Sequence, residues 1–156
     1  MTIAELLAQH ATVSIDSNIF IYVLEASPLG ERAHPLFTAL EEGRLRASLS
    51  SVALAEILAG PARRHDAAVF EIYAAELRPI PNLRIVPVDA DVAADAAWFR
   101  GAGPMALADA LHLACARAAG ATAFITNDRR LQSRPGLDVI QLSDIEAARA
   151  GRRSRR

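Results

Sequence analysis

The stretch Thr12-Val13-Ser14-Ile15-Asp16-Ser17-Asn18-Ile19-Phe20-Ile21-Tyr22 decides the fold. Thr12, Val13 and Ile15 are β-branched and suit a short buried strand over 12–15. That strand ends on an acid, Asp16. Apolar residues then recur at helical spacing (Ile19, Phe20, Tyr22, Val23), which predicts a helix over 18–25. A strand passing straight into a helix through Asp-Ser-Asn is the opening of a βα unit.

The rest of the chain repeats the alternation. A short helix is expected over 3–8. A turn at Pro28-Leu29-Gly30 leads to a helix over 31–42, closed by Gly43. A strand over 45–49 follows, then a helix capped by Ser50 or Ser51 and stopped by Gly60-Pro61. Further elements are a helix over 65–77, a strand over 83–88 and an Ala-rich helix over 90–100. A long helix has Pro104 in its first turn and ends before Gly120. The remainder reads as strand 121–125, short helix 128–131, strand 137–140 and helix 143–150. Short strands alternating with helices imply an α/β layer fold with a parallel sheet and right-handed crossovers. In such sheets the functional crevice lies beyond the carboxyl ends of the strands.

Composition agrees with one folded domain, taken as residues 1–150, followed by a basic tail at 151–156. The 156 residues are 52% apolar and 22% charged, which excludes a disordered chain. The one cysteine, Cys115, lies in an apolar helical pattern and reads as core; it excludes an intrachain disulfide and a cysteine zinc site. The first ten residues lack a secretory pattern, and no apolar run reaches membrane-spanning length, so a cytoplasmic protein is expected. The net charge of −1 counts against a nucleic-acid binder unless the basic residues are gathered locally. Three local groups exist: Arg63-Arg64-His65, Arg129-Arg130, and the tail Arg152-Arg153-Ser154-Arg155-Arg156. Each is a solvated face or a phosphate contact.

The strand ends and the helices behind them hold the chemistry. Asp16 ends the first strand, Glu56 lies in the helix after the second, Asp109 in the long helix, and Asp128 follows a later strand. Asp109 sits among Leu107, Ala108, Ala110 and Leu111, and Asp16 follows Val13-Ser14-Ile15; a charge in such surroundings is costly without an opposite charge. Carboxylates meeting in one crevice repel, and a divalent cation removes that conflict. Hard oxygen donors suit Mg²⁺ or Mn²⁺. Ser17, Asn18, Thr126 and Asn127 are neutral hydrogen-bond partners for the carboxylates, for water on the ion or for phosphate oxygens. His112, one turn beyond Asp109, reads as a packing or surface residue of the long helix. Tyr22 is either core or reaches the cleft, and Trp98 reads as a helix-packing anchor.

Asp-Ser-Asn-Ile-Phe-Ile-Tyr resembles the opening motif of PIN-domain proteins. Ser-Val-Ala-Leu-Ala-Glu-Ile-Leu-Ala-Gly (51–60), Ala-Asp-Ala-Leu-His-Leu-Ala (108–114) and Phe-Ile-Thr-Asn-Asp-Arg-Arg-Leu (124–131) resemble the second, third and fourth motifs. The four occur in order over most of the chain, and among such proteins the sequence looks most like VapC-type toxins. The resemblance implies an α/β/α sandwich with a mainly parallel sheet. It implies Asp16, Glu56, Asp109 and Asp128 as the catalytic acids around one or two Mg²⁺ or Mn²⁺ ions, with Asp16, Asp109 and Asp128 as ligands. It further implies endonucleolytic cleavage of RNA, inhibition by a small cognate antitoxin protein and a homodimer. Arg63, Arg64, Arg129 and Arg130 are the expected RNA contacts. The alternatives are a PIN nuclease acting in RNA processing or on DNA without an antitoxin, and a non-catalytic PIN-like binding module. A haloacid-dehalogenase phosphatase also begins with Asp after a strand, but wants a second Asp where Asn18 stands. The apolar helices between 18 and 77 are either ordinary core or, in part, a dimer face and antitoxin groove.

Overall fold

A computed structural model describes residues 1–146. The elements run α1 (Ile3–Gln9), β1 (Thr12–Ile15), α2 (Ser17–Leu24), α3 (Pro28–Glu41), β2 (Arg46–Ser50), α4 (Ser51–Arg63), α5 (Ala67–Leu77), β3 (Leu83–Val86), α6 (Ala90–Gly101), α7 (Leu107–Ala118), β4 (Ala123–Thr126) and β5 (Asp138–Gln141), then a short 3₁₀ turn, Leu142–Asp144. The five strands are all parallel in the order β3-β2-β1-β4-β5. The chain winds outward from β1 through β2 to β3, then returns to the other side of β1 for β4. The winding therefore reverses between β1 and β4, and the crevice of such a sheet opens beyond their carboxyl ends.

Period-two alternation assigns each strand residue to a layer. Val13, Ile15, Ala123 and Ile125 join one core with Leu6, Ile19, Phe20, Leu36, Leu40 and Ile57, drawn from α1 to α4. Phe124 points the other way, into a second core with Val92, Phe99, Leu113 and Ala114 of α6 and α7. Ser14 and Ser48 alternate with the first set, and Ser14 Oγ donates to the Ser48 carbonyl at 3.2 Å. The result is an α/β/α sandwich. Cys115 is buried and free, with its thiol aimed at the Val86 carbonyl. Between 18 and 77, Ile19, Phe20, Leu36, Leu40, Leu45, Leu49, Ile57 and Leu77 are core, Leu29 and Ile72 are exposed, and the other large apolar residues are half-buried. No described helix is long and apolar enough to cross a membrane.

Several elements differ from the sequence reading. Pro28-Leu29-Gly30 is not a turn but the first turn of α3, because Ser27 caps it by accepting from Gly30 N–H and Pro28 needs no hydrogen bond there. Gly30 is required by packing, since a Cβ would lie 2.3 Å from the Tyr22 carbonyl oxygen. Gly60-Pro61 does not stop α4. Gly60 has no Cβ to crowd the proline ring, so the helix continues to Arg63, and the reversal comes at His65, in left-handed backbone at φ 53°. Pro104 lies in the loop before α7, where Met105 O accepts from Arg100 Nε at 3.3 Å. Residues 128–131 form a turn because Asp128 Oδ1 accepts from Arg130 N–H at 2.9 Å, a local bond that competes with helix. Trp98 is no anchor: it is 80% exposed, since Val92, Ala96 and Phe99 form the buried stripe of α6. The expected helix over 143–150 is a 3₁₀ turn at its start and non-helical at 145–146; residues 147–150, with the tail 151–156, lie outside the described residues.

Candidate functional site

Asp16 is both the end of β1 and the cap of α2. Its backbone N–H still pairs with the sheet, donating to Ile125 O at 2.9 Å, while its carboxylate turns toward the helix it starts. Oδ1 accepts from Ser17 N–H at 2.7 Å; Oδ2 accepts from Asn18 Nδ2 at 2.9 Å and from the Thr126 hydroxyl at 2.5 Å. The residue is 7% exposed. Burial pushes its carboxyl above the ordinary value, although the Thr126 and Ser17 hydrogen bonds and His112 oppose the rise.

Glu56 reaches the same place from the second turn of α4, a helix held by Ser50, whose Oγ accepts from Ala53 N–H at 2.9 Å. The Ser17 hydroxyl donates to Glu56 Oε2 at 2.6 Å and lies 3.3 Å from Asp16 Oδ1, so one serine links the two carboxylates. His112 Nε2 lies 3.2 Å from the same Oε2. The hydrogen bond from His112, and then that from Ser17, hold Glu56 below its ordinary value against partial burial. Adjacent carboxylates thus shift in opposite directions, the enclosed one up and the hydrogen-bonded one down.

Thr126 extends the group to β4. Its Oγ1 donates to Asp16 and accepts from Asp128 N–H at 3.0 Å. The Asp128 carboxylate faces Arg130, with Oδ2 2.6 Å from Nη2, and these bonds hold it below its ordinary value. Asp109 lies in the first turn of α7, three residues before His112 and on the same side of the helix. It lines an open cleft of about 1010 Å³ together with Arg100, Arg130, Gln132 and Arg134. Arg130 feels the charge of both Asp109 and Asp128.

The structure therefore brings Asp16, Ser17, Asn18, Glu56 and Thr126 into one hydrogen-bonded cluster, with Asp128 attached through Thr126 and Asp109 on the adjoining cleft wall. Asn127 turns elsewhere, its Nδ2 3.4 Å from the Tyr22 hydroxyl. Arg129 is exposed on the turn after Asp128. Arg63 and Arg64 lie about two turns beyond Glu56, near the far end of α4. Two site residues lie outside the expected set. His112 is buried rather than on the surface, and its spacing of three from Asp109, which allows it to face the same cleft, is the signal that points to it. Ser50 was read as a cap only, although it ends β2 just as Asp16 follows β1.

One ligand atom each from Asp16, Glu56 and His112 lie within 4.8 Å of one another, a spacing that suits a single cation. Two carboxylates and an imidazole nitrogen at one point fit a divalent ion; of the expected ligands Asp16 lies in this group, whereas Asp128 faces Arg130 and Asp109 lines the cleft.

The PIN domain family model matches residues 13–137. No curated protein matches the sequence. Among solved structures, the chain is similar to VapBC2 from Rickettsia felis bound to a promoter DNA fragment, at 18% identity and TM-score 0.66, covering 83% of this chain and 98% of that one. It is similar to FitAcB from Neisseria gonorrhoeae at 23% identity and TM-score 0.63, covering 85% and 99%. It is also similar to VapC20 of Mycobacterium tuberculosis, a Sarcin-Ricin loop cleaving toxin, at 18% identity and TM-score 0.57, covering 72% and 86%. At these identities the structural matches speak for the fold.

Proposed function

This chain belongs to the PIN-domain family, and from that premise we propose that it is an Mg²⁺- or Mn²⁺-dependent endoribonuclease, the toxin of a toxin–antitoxin pair. The observation behind the reading is the buried Asp16 carboxylate, joined to Glu56 through Ser17 and to the Asp128 backbone N–H through Thr126, where the sheet changes its winding direction. Asp16, Asp109 and Asp128 would hold one or two ions, with Glu56 at the same site, and a bound ion would supply an acidified water and positive charge at the phosphodiester.

The chain's own residues do the rest. Thr126 and Asn18 fix one oxygen of Asp16 and Ser17 fixes the other, so the carboxylate is set in place before substrate arrives. Arg130, and in the same cleft Arg100 and Arg134, supply positive charge for the RNA backbone beside the acids. Arg63, Arg64 and Arg129 stand as outlying backbone contacts. This local gathering reconciles a net charge of −1 with a nucleic-acid substrate. A cytoplasmic location, a homodimer and a cognate antitoxin protein belong to the same reading; VapBC and toxin–antitoxin complexes among the similar folds support the antitoxin.

The test has two arms. The purified chain is incubated with RNA and Mn²⁺ or Mg²⁺, with an Asp16→Asn variant and chelator as controls. Cleavage that needs the metal and Asp16 is expected; cleavage by D16N at the wild-type rate, or none by the wild type with either ion, overturns the nuclease. Expression in cells is expected to arrest growth unless the neighbouring gene product is co-expressed; arrest that this product does not relieve removes the toxin–antitoxin assignment alone.

A further inference from the structure

His112 stands in the group with Asp16 and Glu56, yet the hydrolytic scheme above uses only the four acids. We propose that His112 is a positioning residue for Glu56: Ser50 fixes the imidazole so that its Nε2–H holds the Glu56 carboxylate facing Asp16. The inference rests on the nuclease reading and deepens it.

Three contacts fix the ring. Ser50 Oγ accepts the Ala53 N–H that caps α4, and lies 2.7 Å from His112 Nδ1. Nε2 faces the Glu56 carboxylate, which only accepts, so Nε2 carries an N–H, and in the neutral ring Nδ1 then accepts from the Ser50 hydroxyl. Nε2 is 3.2 Å from Glu56 Oε2. Phe124 of β4 lies alongside the imidazole, 6.4 Å between centroids and 24° between planes, and adds an apolar wall to its pocket.

Glu56 needs that support. Its side chain is 40% exposed and has three rotatable bonds, and water competes for the carboxylate. Ser17 and His112 are its hydrogen-bonding partners among the described residues, both on Oε2. Ser17 is itself shared with Asp16. His112 alone comes from a third element, α7, and so ties the carboxylate of α4 to the helix that bears Asp109.

The test separates the two ends of the ring. An Asn side chain places its amide where Nδ1 lies and reaches Ser50; a Gln places its amide where Nε2 lies and reaches Glu56. His112→Asn is expected to lower kcat and Mn²⁺ affinity by about 10–100-fold with KM for RNA unchanged, whereas His112→Gln stays close to wild type. Mn²⁺ affinity is read by calorimetry independently of turnover, and thermal melts confirm that both variants fold. H112N combined with Glu56→Gln is expected to be no worse than E56Q alone, because the two changes remove one interaction. Equal behaviour of the Asn and Gln variants, or losses that multiply in full in the double variant, would overturn the proposal. If the wild type cuts no RNA, the Mn²⁺ affinities of the two variants still decide the role of His112. If it cuts RNA and both variants match it, His112 falls and the nuclease stands.

Discussion

The two ends of the sheet each hold a buried histidine between a hydroxyl and a carboxylate. At the amino end, His10 Nδ1 lies 3.0 Å from Thr122 Oγ1 and Nε2 lies 3.8 Å from Asp138. At the carboxyl end, His112 lies 2.7 Å from Ser50 and 3.2 Å from Glu56. The plans are alike; the carboxylates differ. Asp138 is 65% exposed, and its charge is solvated by water. Glu56 shares Ser17 with Asp16, a carboxylate that burial pushes upward. A hydroxyl–imidazole–carboxylate chain is thus an ordinary way to satisfy a buried histidine. It becomes a site only where a second desolvated charge meets it.

That comparison is broken most severely at the acids. Asp16→Asn and Asp109→Asn are each expected to lower RNA cleavage by about 10³-fold or more while the fold persists, measured by turnover and circular dichroism. If D109N cuts at the wild-type rate, Asp109 leaves the site. The cleft gives the next effect. Arg100→Gln with Arg134→Gln is expected to weaken RNA binding and to flatten its salt dependence by about 0.7 in log–log slope per lost phosphate contact, read by fluorescence anisotropy on the D16N background. An unchanged slope would move the RNA path elsewhere.

Metal sharpens the contrast through stability. At about 100 times its dissociation constant, Mn²⁺ is expected to add about 2.7 kcal/mol, or roughly 5–10 °C in melting temperature, and D16N to abolish the shift. The sign of the pH effect follows from the two carboxylates. Asp16 has a folded value above its unfolded one, so without metal its stabilising contribution is present below about pH 3.9 and lost as pH rises through the folded value. Glu56, held low, does the reverse: its contribution is present above about pH 4.3 and lost as pH falls through its folded value. A cation needs both carboxylates ionised, so the Mn²⁺-induced shift should shrink on acidification; a shift that does not change with pH removes these carboxylates as ligands. The smallest effect belongs to the amino end. His10→Gln is expected to cost about 1 kcal/mol and to leave cleavage unchanged. Loss of cleavage in that variant would erase the distinction between the ends.

Much of this was legible beforehand because local chemistry specifies it. β1 occupies the residues read for it, since three β-branched residues in four favour a strand and Asp16 both ends it and caps α2. The failures share a cause. Gly30 was read as a turn former, but it is there because α2 and α3 pack too closely for a Cβ. Trp98 was read as an anchor on its size alone, yet which face of α6 is buried is set by α7, not by α6. His112 was weighed as a single helical residue, and Ser50 and Phe124, which define it, lie 62 and 12 positions away in sequence.

The sequence by itself determined the alternation of strands and helices, the family, and the kinds of residue that end each strand, because those depend on short-range spacing and order. Only the tertiary structure decided which carboxylate is desolvated and which is held by an imidazole. Those properties arise from the proximity of groups 39 to 110 residues apart. Electrostatic energy depends on distance in space and on exclusion of water, and neither is written in the order of residues along a chain.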